Sequence, residues 1–324
     1  MRRIAIVGAG GMARLRGKAF LETGEAIVCS VASTRLKTAK ALADTLGAPN
    51  HYDDYRLIEH DRPDAVLLEV PHHVQYDIAT WALEAGFDLL IGGVLAVTSK
   101  DAQAIERLAG RNKLIVEAGY EARYDPAWEK ARELVLGGQL GKPVMAQSLA
   151  LWPGKPESWY YNQKMSGGMP LTHMTYCFIN PLRWILGRVN SACAISNKVA
   201  QKGPSFISEE NCAATLRFDE AFASVVGGFV TPPELPCWWA KIICTRGGVE
   251  LFPEERRAQI YAANRSEPFS AAHMVSPFVR QASAFLAATE SRAPCLNAPS
   301  EAKLDVSIAE AIVTSSRTDR FVKL

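Results

Sequence analysis

The apolar run Ile4-Ala5-Ile6-Val7 passes without a break into Gly8-Ala9-Gly10-Gly11-Met12-Ala13. A strand that ends on closely spaced glycines and restarts as a helix must make a tight turn, and few folds provide one. The spacing fits GxGxxG/A, with Ala13 in the last place. The first glycine permits the turn, the second lets backbone approach a ligand, and the small final residue lets helix and strand pack closely. Unsatisfied N–H groups at the start of the new helix make an anion seat there.

The same alternation continues for the first third of the chain. Apolar runs at 26–32, 65–70, 87–91 and 114–118 read as further strands, and 36–46, 76–85 and 100–109 carry apolar residues at helical spacing. Continuous apolar strands separated by helices imply a parallel sheet covered on both faces, the doubly wound Rossmann arrangement. Thr98-Ser99-Lys100-Asp101 supplies a capping hydroxyl and a first-turn acid for one of the helices. After Tyr120 the rhythm changes. A helix over 126–136 is followed by β-like stretches at 144–152, 189–199, 212–218, 223–231 and 240–245, with turn signals between several of them. The expected architecture is therefore α/β plus α+β: a Rossmann dinucleotide-binding domain over 1–120, then a mostly antiparallel open-sheet domain over 121–324 for substrate and oligomerisation. Residues 277–289 and 303–316 read as closing helices, and 261–273 as a loop.

Composition narrows the class. The 36 basic and 34 acidic residues leave a formal charge of +2, which argues against a nucleic-acid surface. No stretch of about 20 apolar residues suggests a membrane span. The start MRRIAIV resembles a signal peptide, but the run is broken by glycines and followed by Arg14, Arg16 and Lys18, so it reads as a buried strand. Seven widely spaced cysteines without a CxxC pair fit reduced thiols in a cytoplasmic protein. His72 and His73 are adjacent and point in different directions, which does not make a metal site.

The glycine turn, placed between strand and helix, predicts a dinucleotide cofactor. Sites for NAD usually place an Asp or Glu about 20 residues further on, to hold the ribose 2′-OH. Here the second strand ends on Ser33-Thr34-Arg35 with no acid. Hydroxyls and a guanidinium suit a 2′-phosphate, so NADP is expected ahead of NAD.

These features resemble the glucose–fructose oxidoreductase, inositol dehydrogenase and rhizopine-catabolism (Gfo/Idh/MocA) family over nearly the whole chain. The resemblance rests on GAGGMA, on 68–75, on Gly119-Tyr120-Glu121-Ala122-Arg123-Tyr124-Asp125-Pro126, on Pro156-Glu157-Ser158-Trp159, on Ser166-Gly167-Gly168 and on Arg183-Trp184-Ile185-Leu186-Gly187. It implies a nicotinamide-dependent oxidoreductase acting on a small molecule such as a sugar, cyclic polyol or related carbonyl or imine. It also implies a homodimer or homotetramer built through the second domain. Gly8, Gly10, Gly11, Met12, Ala13, Ser33, Thr34, Arg35, Pro71, Gly92 and Gly93 are the implied cofactor contacts. Arg123, Tyr124, Trp159 and Cys177 are the implied substrate side, and Tyr160 and Tyr161 are candidates for it.

The chain departs from the family where chemistry is concentrated. Its Glu-Lys-Pro signature should follow the fourth strand, but the catalytic lysine aligns with Gly93. In the second signature, an Asp becomes His173, a His becomes Cys177 and a last Asp becomes Asn180. A further expected His becomes Gln75, and Glu69 stands where a small residue is usual. Among the remaining groups His173 is the best candidate acid/base, since an imidazole titrates near neutral pH. Three readings follow: an oxidoreductase with altered proton chemistry, a catalytically silent NADP-binding sensor, or a hydrolase or lyase that uses its cofactor transiently.

Overall fold

The computed structural model describes every residue except 204, 236, 263 and 264. The chain packs as two compact units, one formed by 1–121 with 275–303, the other by 122–274 with 304–324.

In the first unit, β1 (Arg2–Val7), β2 (Ala26–Ala32), β3 (Asn50–Tyr52), β4 (Ala65–Leu68), β5 (Asp88–Gly92) and β6 (Val116–Gly119) form one parallel sheet in the order β3-β2-β1-β4-β5-β6. That order reverses between β1 and β4, so a crevice opens at the carboxyl ends of these strands. Ile4, Ile6, Leu67 and Leu90 are buried because helices cover both faces. The helices are α1 (Gly11–Glu22), α2 (Leu36–Leu46), α3 (His72–Glu84) and α4 (Ser99–Asn112). The Thr98 hydroxyl accepts from the Asp101 N–H at 3.1 Å and so starts α4 as its sequence suggests.

The second unit begins with α5 (Pro126–Leu136), started by the Asp125 carboxylate, which accepts from the Ala127 N–H, and by Pro126 in the first turn. Next come β7 (Pro143–Leu151), the short α6 (Gln163–Ser166), a π-helical segment (Pro170–Ile179) and α7 (Asn180–Leu186). The rest of its sheet is β8 (Ser191–Asn197), β9 (Asn211–Arg217), β10 (Phe222–Gly228), β11 (Cys237–Cys244), β12 (Gly247–Phe252), β13 (Arg257–Ala262), β14 (Arg265–Ser270) and, at the chain's end, β15 (Val322–Lys323). The nine strands lie in the order β14-β13-β12-β11-β7-β10-β9-β8-β15. Among the described residues of this sheet, only the β7–β10 pair is parallel. Helix α8 (Pro277–Ser291) packs on α1, with the Phe20 and Phe285 rings 6.1 Å apart, and α9 (Pro299–Thr318) follows it.

The stretch 261–273, expected as a loop, contains the end of β13 and all of β14, while its residues 263 and 264 lie outside the described residues. Five of the six β14 residues are exposed, so its sequence carries no inward–outward alternation and gives no strand signal. The short β3 was likewise not expected.

The inner face of this sheet is set by alternation: Ala146, Ser148 and Ala150 on β7 and Ala240 and Ile242 on β11 are buried. The π-helical segment lies against β7 and β10. Gly227 makes that approach possible. A Cβ there would meet Met174 Cγ at 2.8 Å and Met169 Sδ at 3.1 Å, and would come within 3.7 Å of His173 Cδ2.

Candidate active site

In the first unit the glycine turn has the geometry its sequence requires. Gly8 has φ +112°, and a Cβ there would fall 1.9 Å from the Glu69 carbonyl oxygen. Gly10 and Gly11 face open space, since a Cβ on either meets nothing within 4 Å. Gly10 caps α1 without a side-chain acceptor, and no acidic residue stands in the first turn. Ala13 is fully buried, while Met12 is 40% exposed beside the turn. An uncapped, positively polarised helix start with side-chain-free space before it fits the pyrophosphate of a dinucleotide.

Ser33, Thr34 and Arg35 follow β2 directly. The Ser33 and Thr38 hydroxyls are 3.0 Å apart, and Thr34 and Arg35 are exposed. Pro71 caps α3, and Gly92 ends β5. Gly93 has φ +69°, a left-handed conformation, with His72 Nε2 3.3 Å from where its Cβ would be. A lysine restored at 93 would therefore carry about 1–2 kcal/mol of backbone strain. Lys100 is exposed on α4. Gln75 is buried and donates to the Val94 and Leu95 carbonyls, so it holds the segment after β5 in place.

Next to the glycine turn lies a charged cluster that the sequence signals only through the unusual Glu69. Arg16 Nε is 2.9 Å from Glu69 Oε1, and its Nη2 is 3.2 Å from Glu121 Oε2. Nη2 also donates to the Gly119 carbonyl at 2.6 Å, and Nη1 donates to Gln281. Burial pushes both Glu69 and Glu121 up to about 7, against the lowering pull of Arg16. The Glu69 carboxylate occupies the space beside Gly92: a Cβ on Gly92 would fall 2.1 Å from Glu69 Cδ. A side chain is thus missing at 92 where another side chain fills its volume.

The second unit carries the other candidates on or near the π-helical segment. Its pitch is recorded by the Thr175 hydroxyl, which donates to the Pro170 carbonyl at 2.9 Å, and by the Asn180 N–H, which donates to the Thr175 carbonyl. His173 and Cys177 share one side of it, with Nδ1 and Sγ 3.7 Å apart. Burial pushes the imidazole down to about 4, so it is neutral at pH 7 and far from the titration near neutrality that an unperturbed histidine would show. The Ala150 carbonyl accepts a hydrogen bond from the ring and favours its charged form, a smaller effect than burial.

Asn180 donates to Asp305 Oδ2 at 2.8 Å, and Arg183 Nε reaches Asp305 Oδ1 at 2.7 Å, an ion pair with both side chains buried. Arg123 is buried and donates to the Asn180 carbonyl, with its guanidinium 5.9 Å from the Trp184 ring centre. Tyr124 is buried as well. Trp159 stacks edge-on against Tyr160, whose hydroxyl donates to the Thr172 carbonyl. Three residues not expected from sequence surround His173: Trp152, Phe229 and Trp238, with ring centres 6.5, 4.7 and 6.5 Å away. They come from the ends of three different strand segments, which periodicity does not connect.

Known proteins share this two-domain fold. Residues 2–120 match the model of an oxidoreductase family with an NAD-binding Rossmann fold, and residues 128–250 match the GFO/IDH/MocA C-terminal domain. Inositol 2-dehydrogenase 3 of Saccharopolyspora erythraea is 30% identical over 189 residues, covering 57% of this chain and 53% of that protein. The chain thus spans about half the length of that relative. The scyllo-inositol 2-dehydrogenase (NAD(+)) of Bacillus subtilis is 25% identical over 252 residues, 76% of this chain and 72% of that one. Among solved structures, a levoglucosan dehydrogenase in complex with NADH and levoglucosan superposes with a TM-score of 0.91 at 19% identity, over 99% of both chains. An aldose-aldose oxidoreductase from Caulobacter crescentus gives 0.90 at 21% identity, over 100% of this chain and 99% of that one. At these identities the structural matches speak for the fold.

Proposed function

Since this chain belongs to the Gfo/Idh/MocA family, we propose that it is a nicotinamide-dinucleotide-dependent oxidoreductase of a small ring-shaped alcohol or carbonyl compound. The observation that carries this reading is the glycine turn, at positive φ with no room for a Cβ at Gly8 and open at Gly10 and Gly11, at the crevice where the strand order reverses. When bound, the nicotinamide supplies or accepts the hydride. The chain's own residues then have three tasks. Gly10, Gly11 and the start of α1 hold the pyrophosphate; Ser33, Thr34 and Arg35 receive the adenosine ribose; His173 and Cys177 lie on the substrate side.

We assign a preference for NADP. The end of β2 carries hydroxyls and an exposed guanidinium, and no carboxylate that would repel a 2′-phosphate. NADH is the cofactor in the levoglucosan dehydrogenase complex, so the preference would be a departure of this chain. A fluorescence titration should give NADPH a dissociation constant at least about tenfold below that of NADH, the worth of one charge-assisted hydrogen bond. Arg35→Asp should reverse the order. Tighter NADH binding by the unaltered chain would retire the preference; binding of neither by folded protein would retire the oxidoreductase reading.

His173 is assigned as the group that meets the substrate oxygen, as a neutral imidazole. Its low pKa places the acid limb of turnover near pH 4, with no histidine limb between pH 6 and 8. His173→Asn should lower kcat by about 10²–10⁴-fold if the ring handles the proton. Unchanged kcat would remove that role. A side-chain-free Gly93 favours a second reading, a dinucleotide-binding sensor without turnover, and tight cofactor binding with no activity on any ring alcohol or ketone would support it.

Seven free cysteines suit a reducing cytoplasmic setting. No helix among the described residues is long and apolar enough to cross a membrane. We further propose a homodimer or homotetramer through the outward face of the nine-stranded sheet, where Ile195, Phe222 and Tyr261 are exposed.

A further inference from the structure

The crevice of the first unit has a charged floor. Glu69 follows β4 directly, and β4 lies between β1 and β5. Its backbone carbonyl stands against Gly8, where a Cβ would fall 1.9 Å from the oxygen, and its carboxylate stands against Gly92, where a Cβ would fall 2.1 Å from Cδ. Glu69 therefore spans the floor from the glycine turn to the end of β5. Neighbouring strands lie about 4.8 Å apart, so a pyrophosphate seated at Gly10 and Gly11 is on the order of 10 Å from the Glu69 carboxylate.

The charges on this floor do not balance. Arg16 faces Glu69 at 2.9 Å and Glu121 at 3.2 Å, and the three side chains are only 3%, 9% and 13% exposed. One cation thus stands between two carboxylates in a site nearly closed to water. Two other titratable groups border it. Glu117 on β6 connects through Gln281 of α8, which accepts from Arg16 and donates to Glu117 at 3.2 Å. His72 of α3 lies beside Gly93, with Nε2 3.3 Å from the place of a Cβ there. The charged residues of α1 on either side of Arg16, Arg14 and Lys18, are exposed.

With both acids ionised the cluster carries a net negative charge, which low-dielectric surroundings oppose. A pyrophosphate brings more negative charge to the same floor, and at such a separation each added charge raises the proton affinity of a carboxylate several-fold. We propose that dinucleotide binding draws a proton from solvent onto the Glu69–Arg16–Glu121 cluster, which makes Glu69 and Glu121 positioning residues whose charge is matched to the occupied crevice. Burial holds both acids up at about 7, so the cluster changes charge near neutrality. The sign follows. An anion binds better over the protonated cluster, so affinity rises as pH falls through 7. The inference rests on the dinucleotide reading of the crevice and adds to it a coupled proton.

Calorimetric titration of the full chain with NADH, in two buffers of different ionisation enthalpy, counts the protons. NADH is the probe because a 2′-phosphate carries a proton of its own with a pKa near 6. At pH 7 the unaltered protein should take up roughly 0.3–0.8 proton per NADH, and its affinity should be about three- to tenfold higher at pH 6 than at pH 8. Glu69→Gln leaves one carboxylate for one guanidinium, a neutral pair that needs no proton. That variant should take up none, and should bind NADH at pH 8 as tightly as the unaltered protein does at pH 6, a gain that the loss of a merely structural contact does not produce. Glu121→Gln should behave alike, and decides alone if circular dichroism shows that Glu69→Gln does not fold. Binding without proton uptake, uptake that survives both substitutions (the result if His72 or Glu117 took the proton), or weaker binding by the folded variants at every pH would overturn the proposal. Folded protein that binds neither NADH nor NADPH would instead retire the dinucleotide reading.

Discussion

Arg16→Met is expected to lower the unfolding free energy by about 3–5 kcal/mol at pH 8, the range for a buried charge that loses its partner. The guanidinium holds Glu69 at 2.9 Å and Glu121 at 3.2 Å, with its other donors on Gly119 and Gln281. Methionine fills the volume and leaves two buried carboxylates facing no cation. The loss should depend on pH in a defined direction. Both carboxyls already have folded pKa values near 7, raised by burial above their ordinary 4.5. A raised acid binds its proton more tightly in the folded state, so its contribution to stability falls as pH rises from about 4.5 to 7. Without Arg16 the values rise further and the window extends upward. At pH 5.5 both groups are mostly protonated in the folded variant, and the destabilisation should shrink by at least about 2 kcal/mol. Urea unfolding at the two pH values measures this. An equal loss at both, or a loss under about 1 kcal/mol at pH 8, would mean that the cluster behaves as a solvated one.

Gly8→Ala should abolish dinucleotide binding and destabilise the first unit by about 3 kcal/mol or more, the sum of a strained left-sided conformation and a clash. The Cβ would fall 1.9 Å from the Glu69 carbonyl oxygen. That oxygen has little freedom, because the Glu69 N–H donates to Val7 at 2.7 Å and the Gly8 N–H to Ala32 at 2.8 Å. Gly10→Ala is the contrasting control. Its Cβ meets nothing, so the melting temperature should change little while affinity for NADPH falls at least about tenfold, because the methyl stands in the space the pyrophosphate needs. A stable Gly8→Ala protein that binds NADPH normally would show that the backbone can relax around the clash.

The sequence made legible whatever is repeated over short distances. The run 36–46 and the run 126–136 coincide with α2 and α5, because an amphipathic stripe and, at Pro126, a start signal mark them locally. Gly8, Gly10 and Gly11 are interpretable because each has a steric duty at a fixed offset. The Arg16 cluster was not legible: residues 16, 69, 121 and 281 meet only through the order of strands and the packing of α8 on α1. Glu69 stood out as an oddity, but its partner could not be named from spacing. The aromatic shell has the same character, since Trp152, Phe229 and Trp238 sit just past or at strand ends and are joined to His173 by the sheet. His173 itself was legible as a residue and misleading as a titrating group, because burial, which a sequence does not display, moves its pKa far from neutrality.

The π-helical segment sets a rule for insertions and deletions. With i→i+5 closure between Pro170 and Ile179, the chain carries surplus length that an α-helix would not need. Loss of one residue, usually the worst lesion a helix can suffer, would let that stretch close as i→i+4. Asn180 and Arg183 would keep their side of the axis, because one residue is the difference between an i→i+5 and an i→i+4 turn, and would still face the Asp305 carboxylate that both now grip. A homologue one residue shorter in this stretch should therefore be aligned with its gap inside 170–179, and should keep Asp305 with both of its partners.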